Sequence, residues 1–249
     1  MENIYFFDCN CSFGKLKNGS GLMPKDKDTI IEIMKKVNIK KAIPTHTSQK
    51  FLGAKAGNEI LVSEIENDDM FIPLVTVMPN SSGEFINLEK LDEFVVKNGV
   101  KLANMFPKAH GFSPADWQMG DTYSYLEEKG IPLLISISEV TADEMYTILS
   151  NHKSHKVICK DTYYTNDMKI MRLMELFENF YLETGTYHTC DGISYITEKF
   201  GAQRLIFGSN LPSSDSGAAI AKIACADISL EDKIKIAHEN LEKLIEGVK

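Results

Sequence analysis

The chain has 249 residues, of which 43% are hydrophobic, so it is long enough to bury one large core, and we expect a single domain over residues 1–249. Its formal net charge is −8 and its isoelectric point is about 5.3. Nucleic acids and anionic membranes attract clustered positive charge, so this balance excludes them as expected partners and favours a small-molecule substrate or ligand.

Cysteine usage and hydropathy indicate the compartment. The five cysteines stand at positions 9, 11, 159, 190 and 225, a scattered odd set that fits neither a disulfide framework nor a paired zinc motif. No stretch reaches the roughly 18 apolar residues of a membrane-spanning helix, and no basic segment precedes the first apolar run. A reduced compartment and a cytoplasmic location are therefore expected.

Short apolar runs alternate with amphipathic stretches along the chain. The run from Ile4 to Cys9 predicts a strand, and the apolar spacing from Thr29 to Val37 predicts a helix. Seven more strands are predicted at 41–44, 71–77, 100–105, 131–137, 156–159, 180–183 and 204–207. Further helices are predicted at 58–67, 87–98, 116–129, 141–151, 166–178, 191–200, 216–226 and 231–246.

Helix-capping residues support these boundaries. Thr141 and Ser229 precede acidic first turns and are typical N-caps, and Gly99 and Gly130 follow predicted helices where a left-handed C-cap is common. Eight strands alternating with helices indicate an α/β fold of the (β/α)8 (TIM) barrel type. A doubly wound open sheet is the alternative, because alternation alone does not show that the sheet closes.

Two short segments resemble a known family. Phe7-Asp8-Cys9-Asn10-Cys11-Ser12-Phe13-Gly14 resembles the Asp-x-His-x-His-x-Gly that closes the first barrel strand of amidohydrolase-related (amidohydrolase 2 type) metal-dependent hydrolases. Gly208-Ser209-Asn210-Leu211-Pro212 resembles their Gly-Ser-Asp-x-Pro, and Phe200 to Phe207 extends that similarity. The resemblance implies a metal-dependent-hydrolase-like barrel with its chemistry at the carboxyl ends of the strands.

The same resemblance shows what this chain has replaced. In the family, histidines and an aspartate at five positions on four such strand ends hold the metal, and the corresponding residues here are Asn10, Ser12, Ser136, Lys160 and Asn210. Zinc and related metals favour imidazole, thiolate or carboxylate ligands, and a lysine adds repulsion. We therefore expect no metal ligands and no other cofactor.

Residues at the carboxyl ends of barrel strands face the site, and small hydrogen-bonding side chains there suit a ligand. A hydrogen-bonded loop residue is the alternative for His46, and for Lys160 an ion pair with Asp161 or Glu183 that replaces the lost metal charge. The predicted catalytic residues are His46, Lys160, His188 and Asn210, and the predicted substrate-binding residues are Asn10, Ser12, Asn104, Ser136 and Glu183.

Two further expectations concern residues near this set. Cys9 and Cys11 should point away from Asn10, because side chains alternate along a strand, and packing is expected for both. His152 and His155 precede the sixth strand, so we expect them on the solvated surface at the opposite end of the barrel.

Three functions are compatible with these observations. The first is a hydrolase-like or C–C lyase-like enzyme that acts on a small, carboxylated organic substrate without the usual metal. The second is a non-catalytic binding or regulatory barrel that kept the pocket, and the third is a metalloenzyme with relocated ligands, for which the sequence contains no ordered ligand set. We favour the first because the resembled family is mostly hydrolytic, and analogy with that family also suggests a homodimer.

Overall fold

The computed structural model of the chain describes residues 4–14 and 26–249. Within these ranges eight parallel strands neighbour one another in chain order. Their bounds are β1 Phe6–Phe13, β2 Ile39–His46, β3 Leu74–Thr76, β4 Leu102–Asn104, β5 Leu133–Ser136, β6 Val157–Lys160, β7 Phe180–Glu183 and β8 Leu205–Ile206.

Backbone hydrogen bonds join the strands into a ring. β1 pairs with β2, and β3 to β8 form a second parallel sheet. Between the two sheets, Ile72 N donates to Ala42 O at 2.9 Å, and at the other junction Ser12 N donates to Leu211 O at 2.8 Å. The sequential order and these links confirm the predicted (β/α)8 barrel, since a doubly wound sheet would reverse its strand order at a switch point.

Helices follow the strands on the outside of the ring. Two of them, α2 and α5, have five and four residues and are absent from the sequence prediction, because such short segments contain too little periodicity. No helix in the described ranges is long and apolar enough to cross a membrane. The bounds are α1 Lys27–Lys36, α2 Thr47–Phe51, α3 Ala54–Ile65, α4 Leu88–Asn98, α5 Pro107–His110, α6 Asp116–Lys129, α7 Ala142–Asn151, α8 Asp167–Leu176, α9 Gly192–Phe200, α10 Ser216–Cys225, α11 Leu230–Ile234 and α12 Asn240–Glu246, with a π-helical turn at Lys235–Glu239.

Capping side chains set several helix ends as predicted. Thr141 Oγ1 accepts from Glu144 N at 3.3 Å, and Glu144 Oε2 accepts from Thr141 N at 2.7 Å, which completes a capping box at the start of α7. Ser229 caps α11. Gly99 and Gly130 end α4 and α6 with φ values of 63° and 72°, the left-handed region that a side chain would strain.

The prediction that His152 and His155 lie on the solvated surface is wrong. The two side chains are only 7% and 1% exposed, and their rings contact the buried ring of Tyr123 on α6 at centroid distances of 5.3 and 6.2 Å. Burial, with a smaller contribution from the neighbouring His152, lowers the pKa of His155 to about 4. The two histidines between α7 and β6 therefore pack into the interior, while Lys153 and Ser154 between them are exposed.

Candidate functional site

A cavity of about 380 Å³ opens at the carboxyl ends of the strands, where (β/α)8 barrels place ligands. Hydroxyl and amide groups from β1, β2, β5 and the segment after β8 line much of its wall. Two lysines, an aspartate and a glutamate add charge, and two phenylalanines add aromatic surface. The lining residues are Asn10, Cys11, Ser12, Thr45, Thr47, Lys50, Phe51, Phe106, Ser136, Ser138, Glu139, Lys160, Asp161, Asn210, Leu211 and Ser213.

Three consecutive residues of β1 line the cavity: Asn10, Cys11 and Ser12. Cys9 does not line the cavity, and both cysteines are packed in the hydrophobic core, as expected. The pairing of β1 with β2 is irregular in this region, since its register shifts between Asp8 and Cys11. Burial raises the pKa of the Cys9 and Cys11 thiols well above the usual value, so both are neutral thiols in a packed environment.

Lys160 projects from the end of β6 to the cavity wall. Its Nζ donates to Asn10 Oδ1 at 2.9 Å and lies 4.0 Å from Asp161 Oδ2. On its other side Asn10 donates through Nδ2 to Glu183 Oε2 at 3.2 Å. Three predicted site residues from β1, β6 and β7 are thus connected in one hydrogen-bonded chain.

Glu183 lies behind Asn10 and not on the cavity wall, and it is 0% exposed. Its Oε1 accepts from Gly185 N at 2.5 Å. Burial raises the pKa of Glu183 to about 8, although the Gly185 N–H favours the ionised carboxylate. A Cβ added at Gly208 would collide with this carboxyl, so the glycine leaves the space that Glu183 occupies. The structure therefore separates this residue from direct contact with a ligand.

Asp8 fastens β1 to the segment after β8. Its Oδ1 accepts from Asn10 N and from Ser209 N, each at 2.9 Å, and its Oδ2 accepts from the Ser209 hydroxyl. Burial raises the pKa of Asp8, while the hydrogen bonds from Ser209 and Asn10 act in the opposite direction. Next to this clamp, Asn210 N donates to Asn10 O at 2.7 Å. The two motifs of the sequence thus meet, and Asp8 holds them together.

A second charged group at the cavity was missed in the sequence. Lys50 Nζ, on α2, lies 2.7 Å from Glu139 Oε1 and 5.3 Å from the centre of the Phe106 ring. Burial opposes ionisation of Glu139, but Lys50 and two backbone N–H groups hold the pKa of this carboxyl below its usual value. Lys50 belongs to a five-residue helix and Glu139 to a loop, and neither position had a periodic or motif signal.

His46 caps α2 and lies outside the cavity wall. Its Nδ1 is 2.5 Å from Ser48 Oγ, its Nε2 is 3.5 Å from Glu64 Oε1, and its ring stands edge-on to Phe13. Burial lowers the pKa of His46, and the Glu64 carboxylate partly offsets this. This placement agrees with the alternative of a hydrogen-bonded loop histidine, and a catalytic role for His46 stays a prediction.

His188 and Asn104 also lie off the cavity wall. His188 is exposed on the loop after β7, where partial burial and the nearby Lys222 lower its pKa. Asn104 is 1% exposed at the end of β4 and donates through Nδ2 to Thr45 Oγ1 at 3.1 Å. Thr45 does line the cavity, so Asn104 supports a lining residue.

The remaining predicted residues line the cavity as hydrogen-bonding groups. Ser136 Oγ lies 2.6 Å from Ser138 Oγ, and Ser136 is paired in register with Lys160 across β5 and β6. Asn210 Nδ2 donates to Ser214 Oγ at 2.9 Å, and Ser12 Oγ lies 3.4 Å from Leu211 O. The structure thus gathers Asn10, Ser12, Ser136, Lys160 and Asn210 around one cavity.

These five residues do not fit the metal that the resemblance implies. The Lys160 ammonium donates a hydrogen bond to the amide oxygen of Asn10 at 2.9 Å, and its positive charge would repel a divalent cation there. Ser136 is hydrogen-bonded to Ser138, and a hydroxyl is a poor ligand for zinc. In the described part of the chain, no three His, Cys, Asp or Glu side chains are grouped so that they could hold a metal ion.

Comparison with known proteins agrees with the fold. Similar solved structures include an uncharacterised TIM-barrel protein from Bordetella bronchiseptica, with a TM-score of 0.76 at 16% identity over 98% of this chain and 99% of that chain. A 2,6-dihydroxybenzoate decarboxylase from Rhizobium has a TM-score of 0.76 at 14% identity over 99% of both chains. A 5-carboxyvanillate decarboxylase from Sphingomonas paucimobilis has a TM-score of 0.72 at 10% identity over 98% of this chain and 99% of that chain.

At these identities the structural similarity shows the fold alone. No curated protein matches the chain. A family model described as amidohydrolase matches residues 46–246, which is most of the sequence and includes β3 to β8. The chain therefore belongs to the amidohydrolase family.

Proposed function

We propose that this chain is an enzyme that hydrolyses, or cleaves a carbon–carbon bond in, a small carboxylated organic substrate at the carboxyl-end rim of the barrel, without the family's metal. The observation that carries the proposal is the position of Lys160. Its side chain is 14% exposed, lines the cavity and is held by Asn10 Oδ1 at 2.9 Å. A positive charge thus stands where the resemblance places the metal.

The balance of charge favours an anionic substrate at Lys160. The other cavity lysine, Lys50, is paired with the ionised Glu139 at 2.7 Å. Lys160 has a weaker partner, since Asp161 Oδ2 is 4.0 Å away. Glu183 stands behind Asn10, whose amide makes a hydrogen bond to each of Glu183 and Lys160. The charge of Lys160 is therefore available to a carboxylate in the cavity.

An ammonium at this position supplies two effects that cleavage needs. It stabilises negative charge that develops on a substrate oxygen, and it can donate a proton. In loss of a carboxylate group, the electron pair of the breaking C–C bond stays on the substrate carbon, and carbon dioxide leaves. The carbon then takes the Lys160 proton, which solvent restores, whereas in hydrolysis water is the second reactant.

The names of similar structures support a carboxylated aromatic substrate. Two of them are decarboxylases named for 2,6-dihydroxybenzoate and 5-carboxyvanillate, both aromatic carboxylates. In this chain Phe51 and Phe106 add aromatic surface to the polar cavity wall. An aromatic ring carrying a carboxylate would match both the aromatic surface and the Lys160 charge.

A non-catalytic binding or regulatory barrel is the second candidate function. It is favoured by the location of His46 and His188, since neither lines the cavity and no other described histidine does so. The cavity then offers hydroxyls, amides and lysines, which suffice for recognition. The two candidates differ in turnover and not in ligand class.

Replacement of Lys160 by methionine tests the proposal. Binding of 2,6-dihydroxybenzoate is measured by titration calorimetry, and turnover of a panel of aromatic carboxylates is followed by chromatography and carbon dioxide release. We expect binding and turnover in the unmodified protein and at least about tenfold weaker binding in Lys160→Met, because a charge-assisted hydrogen bond is lost.

The matched control is Lys153→Met, which changes an exposed lysine before β6, at the opposite end of the barrel. This variant should bind as the unmodified protein does. Binding without turnover of any panel member would contradict the enzyme proposal and favour the non-catalytic binding barrel. Equal affinity in Lys160→Met and the unmodified protein would overturn both candidates.

A further inference from the structure

Glu183 influences the cavity without touching it. The carboxyl is 0% exposed, and Asn10 stands between it and Lys160. The two hydrogen bonds of Asn10 span residues that are 173 and 150 positions away along the chain. This arrangement raises the question of what determines the direction in which the Asn10 amide points.

Both oxygens of Glu183 act as hydrogen-bond acceptors. Oε1 accepts from Gly185 N at 2.5 Å, and Oε2 accepts from Asn10 Nδ2 at 3.2 Å. A backbone N–H is always a donor, so the Gly185 contact cannot be reversed. An amide at position 183 would have only one oxygen for two donors, and one donor would face an NH₂ group in a buried site.

The hydrogen bond to Glu183 determines which end of the Asn10 amide faces Lys160. An asparagine side chain has one donating and one accepting end, while a lysine ammonium only donates. Because Nδ2 of Asn10 is directed to Glu183, Oδ1 is directed to Lys160. A reversed amide would place two donors against each other at Lys160 and two acceptors against each other at Glu183. The described contacts are therefore satisfied in only one orientation.

The surroundings hold Glu183 in place. Gly185 and Gly208 leave room for the carboxyl, since a Cβ on either would collide with Oε1. Lys222 of α10 donates to Thr184 O at 2.6 Å and to Gly185 O at 2.5 Å, and so fixes the loop that presents Gly185 N. The charged and titratable groups facing Glu183 are Asp8 and Cys9 on β1, Cys159 and Lys160 on β6, Asp161 after β6 and Lys222 on α10.

We infer that Glu183 is a positioning residue, which sets the orientation of the Asn10 amide and thereby holds the Lys160 ammonium at the cavity wall. The inference rests on the proposed function of Lys160 for its purpose, but the hydrogen-bond direction can be tested without any substrate. It also replaces the sequence-based expectation that Glu183 contacts the substrate.

The test uses Glu183→Gln and the double variant Asn10→Asp/Glu183→Gln. The single variant keeps the shape of the side chain but turns one acceptor into a donor, which should release Lys160. In the double variant, Nε2 of residue 183 donates to a carboxylate at position 10, which also accepts from Lys160, so the chain is restored. Glu198→Gln, an exposed substitution on α9, is the matched control.

The first readout is the rate at which limiting acetic anhydride acetylates Lys160, measured by peptide mass spectrometry relative to Lys153 in the same sample. Loss of the Asn10 hydrogen bond should raise this ratio about fivefold in Glu183→Gln. The double variant and Glu198→Gln should stay within about twofold of the unmodified protein. The affinity for 2,6-dihydroxybenzoate is the second readout, and it should fall in Glu183→Gln and stay unchanged in Glu198→Gln.

An unchanged acetylation ratio in Glu183→Gln, or a double variant that behaves like the single one, would overturn the inference. If Glu183→Gln does not fold, the melting temperature of the double variant decides, because recovery of folding is expected and its failure counts against the inference. If the unmodified protein binds no carboxylate, the proposed function fails, while the acetylation ratios still judge the role of Glu183.

Discussion

Lys160 shows how a single residue changes the chemistry that a barrel rim can perform. An imidazole at this position could accept a metal, whereas an ammonium has only donors and needs an acceptor. Asn10 provides that acceptor at 2.9 Å, and the sequence resemblance places Asn10 itself at another of the family's metal positions. The residues at these two positions are therefore complementary, because the ammonium donates and the amide oxygen accepts.

A prediction at the residue scale concerns His155 and acid stability. Burial lowers the pKa of His155 from 6.5 to about 4, so the unfolded chain takes up this proton first as the pH falls. The contribution of neutral His155 to the free energy of unfolding is fully present above pH 6.5. It is lost as the pH falls toward 4, by up to about 3 kcal/mol. His155→Leu should flatten the pH dependence of the unfolding free energy, measured by urea denaturation between pH 7 and pH 4.

The prediction concerns how steeply the free energy of unfolding changes with pH, and not its absolute value. Leucine changes packing against Tyr123, so a constant offset at all pH values is compatible with it. Parallel curves for the variant and the unmodified protein would show that other groups are responsible for the acid sensitivity.

At the scale of elements, the irregular pairing of β1 with β2 decides the composition of the site. The register of this pairing shifts between Asp8 and Cys11, and Asn10, Cys11 and Ser12 all line the cavity. The glycine-containing segments after β7 and β8 then provide the backbone N–H and the space that Glu183 needs. The ends of the strands, more than their centres, thus make this site specific.

A pair of glycine substitutions tests this at the element scale. Gly208→Ala would place a Cβ against the Glu183 carboxyl and should destabilise the fold by about 1–3 kcal/mol, as overpacking does in a well-filled interior. Gly120→Ala, in the middle of α6, meets only the Asp116 Cβ at 3.5 Å and should stabilise by about 0.5–1 kcal/mol. Urea unfolding measures both.

The opposite signs are the essential result. Gly120→Ala serves as the control for adding one methyl group to a glycine, since its helix position favours alanine. A neutral or stabilising effect of Gly208→Ala would mean that the carboxyl of Glu183 moves freely, which would also weaken its assignment as a positioning residue.

At the scale of the whole molecule, closure of the barrel brings positions from every part of the chain to one rim. The backbone bond from Ser12 N to Leu211 O, at 2.8 Å, completes the ring between the first and last strands. The resulting cavity has a chemistry distinct from that of the metal site implied by the family, because lysine, serine and asparagine line it.

Metal content is the prediction that belongs to this scale. Protein purified without added metal or chelator should contain no stoichiometric transition metal by elemental analysis, because the rim residues are poor ligands and Lys160 repels cations. Treatment with a chelator should leave the melting temperature unchanged. A stoichiometric metal bound near Asn10 would favour the relocated-ligand metalloenzyme and overturn the proposed role of Lys160.

Assembly into a homodimer is a further proposal, drawn from analogy with the family. Light scattering coupled to size-exclusion chromatography measures the mass directly. A mass of about twice the 27.9 kDa chain is the expected result, and a mass equal to one chain would contradict it.

The sequence by itself determined the alternating elements, several helix caps, the barrel class and the family resemblance. These follow from residues close together in the chain, such as the capping box of Thr141 and Glu144 or the motif around Asn10. The sequence also predicted Asn10, Lys160 and Glu183 as site residues. Only the tertiary structure decided that they form one hydrogen-bonded chain, that Lys50 and Glu139 join the cavity, and that His46 and His188 lie off its wall. Those relations join residues more than 80 positions apart, as Lys50 and Glu139 are at 89, and ring closure, not local pattern, sets which of them meet.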